Sequence, residues 1–172
     1  MSRSFDIVID SAASVEQVHA AFSREDYWLA RLAAFDAAST LDSLIVDTDG
    51  TVTVSVSQYL GRQLLPGAVA KLIPGDLAIV HSETWRPVDD RRVSGQVDVS
   101  APAGLGSGRA EAWLVPEGPE GKGSLARFAA TVQVKIPLLG RTFERMIAAD
   151  LAENIAAIQR FTTAWISEHA CP

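Results

Sequence analysis

Residues 140–169 read GRTFERMIAADLAENIAAIQRFTTAWISEH, and the period of this stretch decides the fold. At ~100° per residue, Ile147 and Trp165 point the same way, with Phe143, Leu151, Ile158 and Phe161 within about 40° of them. Arg145, Ala156 and Thr163 fall on the opposite side. The spacing predicts one long helix from Gly140 to about His169. Its apolar stripe has to be covered, and a curved sheet is the partner the remaining chain can offer.

Upstream, from about residue 40 to 136, the period changes to two. Leu41–Asp47 and Thr51–Leu60 flank Asp49-Gly50, a pair that tolerates positive φ, which predicts a hairpin. Val52, Val54 and Val56 alternate with Thr53, Ser55 and Ser57, one apolar face against one wet face. Leu77–Arg86, Arg91–Ala101, Arg109–Val115 and Leu125–Ile136 continue the strands, joined by Pro/Gly/Asp-rich turns. Short connections demand antiparallel pairing, because parallel neighbours need long crossovers. The segment Pro66–Pro74 interrupts the run as a brief helical turn or apolar loop between two prolines.

At the start of the chain Phe5, Ile7 and Ile9 alternate with Asp6, Val8 and Asp10, a further short strand. Ser14-Val15-Glu16-Gln17 reads as a capping box opening a helix with Val15, Val18, Ala21 and Phe22 on its apolar side. Glu25-Asp26-Tyr27-Trp28 is read as a break, and Leu29 to Phe35 as a second short helix. The expected fold is α+β, a seven-stranded curved antiparallel sheet around a long C-terminal helix with two short helices after the first strand.

At 172 residues the chain suits one domain, 1–172, with a core that needs no staples. Hydrophobic residues make up 48% and charged residues 21%, a globular balance. A net charge of −6 and a pI near 5.0 speak against nucleic acid as partner, since phosphate binding needs a basic face. Cys171 is the single cysteine, which excludes an internal disulfide and suits a reducing, cytoplasmic setting. The N-terminus leads straight into the strand pattern rather than a signal-peptide core. No stretch approaches the ~18 uninterrupted apolar residues of a membrane span.

The order β-α-α-β6-α, with Ser14-Val15-Glu16-Gln17-Val18 opening the first helix and Tyr27-Trp28 after it, resembles the START-like superfamily, also called SRPBCC or helix-grip proteins. Lys135-Ile136-Pro137-Leu138-Leu139-Gly140-Arg141, followed by Glu144, resembles an uncharacterised actinobacterial branch of it. The resemblance covers nearly the whole chain. It implies an internal cavity between helix and sheet that holds lipids, sterols, polyketides or other apolar molecules. Some members are cyclases or hydrolases and many only bind, so the fold alone does not choose.

Catalytic and metal motifs are sparse. His19, His81 and His169 fall on three different elements, and no H-E-x-x-H, C-x-x-C or carboxylate cluster accompanies them, so neither metal nor cofactor is expected. Gly104-Leu105-Gly106-Ser107-Gly108 lacks phosphate-loop spacing and reads as a hairpin. No serine sits in G-x-S-x-G.

Two polar features stand in apolar company. Asn154 falls within ~20° of the centre of the helix stripe, where its amide must bond either to the protein or to a bound molecule. Leu77, Ile79, His81, Glu83 and Trp85 are alternate residues on one strand face. Facing inward, His81 and Glu83 would form an acid/base couple with shifted pKa values. Facing outward they are an ordinary solvated pair, and an outward or merely structural role is the expectation the more common pattern favours.

The expected function is non-catalytic binding of a hydrophobic small molecule under the long helix. Phe143, Ile147, Leu151, Ile158, Phe161 and Trp165 would form one wall and Phe128, Ala130 and Val132 of the last strand the other. Asn154 would be the polar anchor and Pro66–Pro74 the lid. The alternatives are a cyclase- or hydrolase-like enzyme using His81 and Glu83, and a regulatory or protein-interaction module with a filled core.

Overall fold

In a computed structural model, which describes residues 2–35, 38–60, 67–71, 75–136, 138 and 140–169, the chain runs β1 (Ser2–Ser11), α1 (Val15–Phe22), α2 (Glu25–Phe35), β2 (Ser39–Val46), β3 (Val52–Leu60), α3 (Gly67–Ala70), β4 (Leu77–Pro87), β5 (Val93–Ser100), β6 (Gly106–Glu117), β7 (Gly123–Val134) and α4 (Gly140–His169). The strands form one seven-stranded antiparallel sheet in the order β1-β7-β6-β5-β4-β3-β2. Strands β2 to β7 form a meander, and β1 adds to its far edge beside β7. Helix α4 lies against β1 and β7 and is met by α1 and α2. This is the helix-grip architecture the sequence pattern predicts.

Local chemistry accounts for the elements. Ser14 Oγ accepts from the Gln17 backbone N–H at 3.2 Å, and Gln17 Oε1 accepts from the Ser14 N–H at 2.9 Å, so the capping box forms as written in the sequence. At the β2–β3 turn Gly50 adopts φ +87, and Asp49 Oδ1 accepts from the Thr51 N–H at 2.9 Å. Val52, Val54 and Val56 are buried while Thr53, Ser55 and Ser57 are partly exposed, which is the alternation expected of β3.

The break between the first two helices lies at Ser23-Arg24, and Glu25–Trp28 forms the first turn of α2. Two acidic residues favour a helix N-terminus, where free backbone N–H groups and the helix dipole stabilise negative charge. Asp26 Oδ1 accepts from the Tyr27 N–H at 3.1 Å. The acidic pair starts a helix where the sequence reading took it to end one.

Aromatic rings fill much of the main core. Phe22 and Trp85 stand 4.8 Å apart between ring centroids, Tyr27 and Trp165 5.3 Å, and Tyr27 and Trp28 5.4 Å. Such tilted and edge-on pairs add to simple area burial. Trp85 depends on its cross-strand neighbour Gly95: a Cβ at position 95 would stand 2.4 Å from Trp85 Cζ3. Only glycine leaves room there for the indole. A satellite cluster joins Leu77, Ile79, Leu105, Ile136 and Phe143.

The buried face of α4 differs from the expected stripe. Glu144, Gln159, Thr162, Trp165 and Ile166 are buried, whereas Ile147 is 40% exposed. At ~100° per residue the buried face is centred roughly 70° round the axis from the Ile147–Trp165 line. Thr163, expected on the solvent side, meets Ser11 of β1, with the two hydroxyl oxygens 2.6 Å apart. Among the described residues no helix is long and apolar enough to cross a membrane.

Candidate functional site

A cavity of about 390 Å³ lies between the sheet, α2 and α4. Its walls are mainly apolar: Trp28, Leu32 and Phe35 from α2, Val56 from β3, Ile79 and Trp85 from β4, Val97 and Val99 from β5, and Leu151, Ile155 and Ile158 from α4. Phe128, Ala130 and Val132 of β7 line it as well. A concave, largely apolar space with a few polar groups set into it is the usual form of a small-molecule site.

The polar groups come from three elements. Arg31 projects from α2, and its Nη2 lies 3.3 Å from Glu83 Oε2 on β4. Its guanidinium also stands over the Trp28 ring, 4.7 Å from the centroid. Two residues before Glu83, on the same strand face, His81 places Nε2 3.6 Å from Glu83 Oε2. Glu83 is only 5% exposed. From the opposite wall comes Gln159 of α4, 7% exposed. Behind Arg31, Tyr27 Oη and Thr162 Oγ1 are hydrogen-bonded at 2.7 Å, and the Thr162 hydroxyl donates to the Ile158 carbonyl at 2.8 Å.

Protonation follows from these neighbours. Burial pulls the Arg31 guanidinium down, but Glu83 and the Tyr27 phenol beside it bring its pKa above the ordinary value. Burial lowers the His81 pKa, Glu83 raises it and Arg31 lowers it again, with a net result below the usual histidine range. Near neutral pH the site therefore holds one ion pair, Arg31–Glu83, and a neutral imidazole. His81 Nε2, Glu83 Oε2, Trp85 Nε1 and Gln159 Nε2 are all buried and have no hydrogen-bond partner among the described residues. Most buried polar atoms in folded proteins are satisfied, so four such atoms in one cavity need a reason.

The expected site residues divide into two groups. Phe128, Ala130, Val132, Leu151, Asn154 and Ile158 line the cavity. Phe143 packs in the satellite cluster, Trp165 is buried in the main core with Phe161 against it, and Ile147 faces solvent. Asn154 is exposed, at the rim rather than in the middle of the buried face. His81 and Glu83 face inward, against the outward half of the outward-or-structural reading. Of the proposed lid Pro66–Pro74, only residues 67–71 are described, with one helical turn at α3; the rest lies outside the described residues.

Sequence reasoning missed Arg31 and Gln159, although a signal existed for both. Tyr27, Trp28, Arg31, Leu32 and Phe35 recur at helical spacing, so the arithmetic applied to α4 places Arg31 inside an apolar stripe. Gln159 shares its spacing with Ile155, Thr162 and Ile166. Among the described residues no group of three or more His, Cys, Asp or Glu side chains could hold a metal ion.

The chain matches, over residues 6–166, the family described as Protein of unknown function (DUF2505), and it belongs to that family. Uncharacterized protein Rv0481c of Mycobacterium tuberculosis is 40% identical over 178 residues, covering 98% of this chain and 99% of the relative. Among solved structures, norcoclaurine synthase from Thalictrum flavum superposes with a TM-score of 0.53 at 16% identity, covering 98% of this chain and 88% of the enzyme. Ara h 8.0201 superposes with a TM-score of 0.55 at 13% identity, covering 98% of this chain and all of its own. At such identities the likeness is one of fold.

Proposed function

We propose that the chain is a single START-like domain, residues 1–172, that binds an apolar or amphipathic small molecule of lipid, sterol or polyketide-like character in the cavity between α4 and the sheet. The carrying observation is the pairing of apolar walls with four buried polar atoms that have no hydrogen-bond partner among the described residues. A filled structural core would have either satisfied or omitted them, because an unpaired buried polar group costs ~1–3 kcal/mol. The structure of norcoclaurine synthase in complex with dopamine and hydroxybenzaldehyde shares the fold at 17% identity and a TM-score of 0.50, so the architecture is compatible with small ligands. Titration with a hydrophobic fluorescent probe tests the proposal, together with native mass spectrometry of protein purified from its own host. Saturable binding is expected, and Ile158→Trp, which fills the cavity from α4, should abolish it while circular dichroism stays native. Unchanged binding in that variant would place the ligand elsewhere.

The enzyme reading rests on one observation, the inward-facing His81 and Glu83 at 3.6 Å. A neutral imidazole is a competent general base when a substrate proton comes within reach. Glu83 is already engaged by Arg31, so in this reading the proton acceptor is His81. Loss of turnover on an ester- or polyketide-like substrate in His81→Ala, with probe binding intact, would decide for the enzyme.

A further inference from the structure

The polar groups in the cavity carry almost no net charge. Arg31 and Glu83 neutralise each other at 3.3 Å, and His81 beside them is neutral near pH 7. Arg109, the remaining charged residue on the cavity wall, is exposed and pairs with Asp98, with Nε and Oδ1 3.5 Å apart. A carboxylate entering this space would meet Glu83, and an ammonium would meet Arg31. Neither would find an uncommitted counter-charge, and a desolvated charge without one is strongly disfavoured.

What the cavity does offer is unused hydrogen-bonding capacity of both kinds. Gln159 Nε2 is a donor without an acceptor, and Glu83 Oε2 is an acceptor without a hydrogen bond, despite its ion-pair contact with Arg31. His81 Nε2 takes either role according to its tautomer. A hydroxyl accepts from one partner while donating to another. A carboxylate has no proton to give Glu83, and an ammonium has no lone pair for Gln159.

We infer that the cavity selects a ligand whose polar end is neutral and both donates and accepts a hydrogen bond, an alcohol, phenol or primary amide, over a carboxylate or an ammonium of the same chain. This inference rests on the binding function proposed above and specifies the class of head group.

The experiment is competition against a hydrophobic fluorescent probe by decan-1-ol, decanoate, decylamine and decane, at about pH 8, where both charged competitors are ionised and His81 is neutral. Decan-1-ol is expected to displace the probe about tenfold more effectively than each of the other three. Gln159→Leu should remove the advantage of decan-1-ol over decane. If that variant does not fold, the wild-type series alone decides. A probe that never binds saturably sinks the binding function along with the selectivity. A probe that binds, but is displaced by decanoate or decylamine as well as by decan-1-ol, or by none of the four, overturns the neutral-head assignment alone.

Discussion

The Arg31 guanidinium and the Glu83 carboxylate meet at 3.3 Å where α2 faces β4, both of them buried. Such a pair is costly to break from one side, because the partner left behind is an uncompensated charge. Arg31→Met should lower stability by ~3–5 kcal/mol in urea denaturation. The double variant Arg31→Met/Glu83→Leu should recover most of that loss. If the double variant instead loses the sum of the two single effects, the pair is not the coupled unit described above.

Gly95 and Trp85 supply the second prediction. A methyl group at position 95 would stand 2.4 Å from Cζ3 of an indole wedged among Phe22, Phe128 and the sheet. Gly95→Ala should cost ~1–3 kcal/mol through overpacking and should alter the near-ultraviolet circular dichroism of the aromatic core. Wild-type stability in this variant would mean that the ring has room to move aside.

The orientation of α4 is tested by two substitutions of the same kind. Ile166 is buried and Ile147 is 40% exposed. Ile166→Ala should cost ~2–5 kcal/mol and Ile147→Ala no more than ~0.5 kcal/mol. Equal losses would restore the stripe centred on Ile147 and Trp165.

The pH dependence of stability should carry a contribution from His81. Burial keeps its folded-state pKa below the ordinary 6.5, so the unfolded chain takes up a proton first as the medium is acidified. The stability linked to this group is complete above about pH 6.5 and is lost as pH falls from there through the folded-state value. His81→Asn should therefore flatten the slope of melting temperature against pH just below about 6.5. Identical slopes in both proteins would show that the imidazole titrates alike in the two states.

The parts of the fold that were legible in advance are those dictated by local chemistry. The Val52–Val56 alternation, the Asp49-Gly50 turn and the Ser14/Gln17 box each depend on residues close together in the chain. The site was less legible because it depends on pairing between distant segments. His81 and Glu83 lie directly across from Val56 and Val54, the apolar side of β3, and cross-strand partners share a face. Knowing that register would have turned both side chains inward, but a single strand cannot supply it. On α4 the large apolar residues dominated the arithmetic, while Glu144, Gln159 and Thr162 are buried despite their polarity. A helix bordering a cavity does not need an apolar side chain at every inward position, and this is why its sequence misreports its orientation.

The placement of β1 has a temporal consequence. Ser2 is registered against Gln133, and Ser11 of the same strand reaches Thr163 of α4, so the first segment of the chain has its partners near the end. During synthesis the meander from β2 to β6 can zip hairpin by hairpin as it emerges, whereas β1 must wait for β7 and α4. Long-range closure of this kind slows folding, since the entropy of joining distant segments is lost before their contacts form. Until that closure, each nascent chain presents an unpaired β1 and an uncovered inner sheet face, the two surfaces most prone to association with another copy.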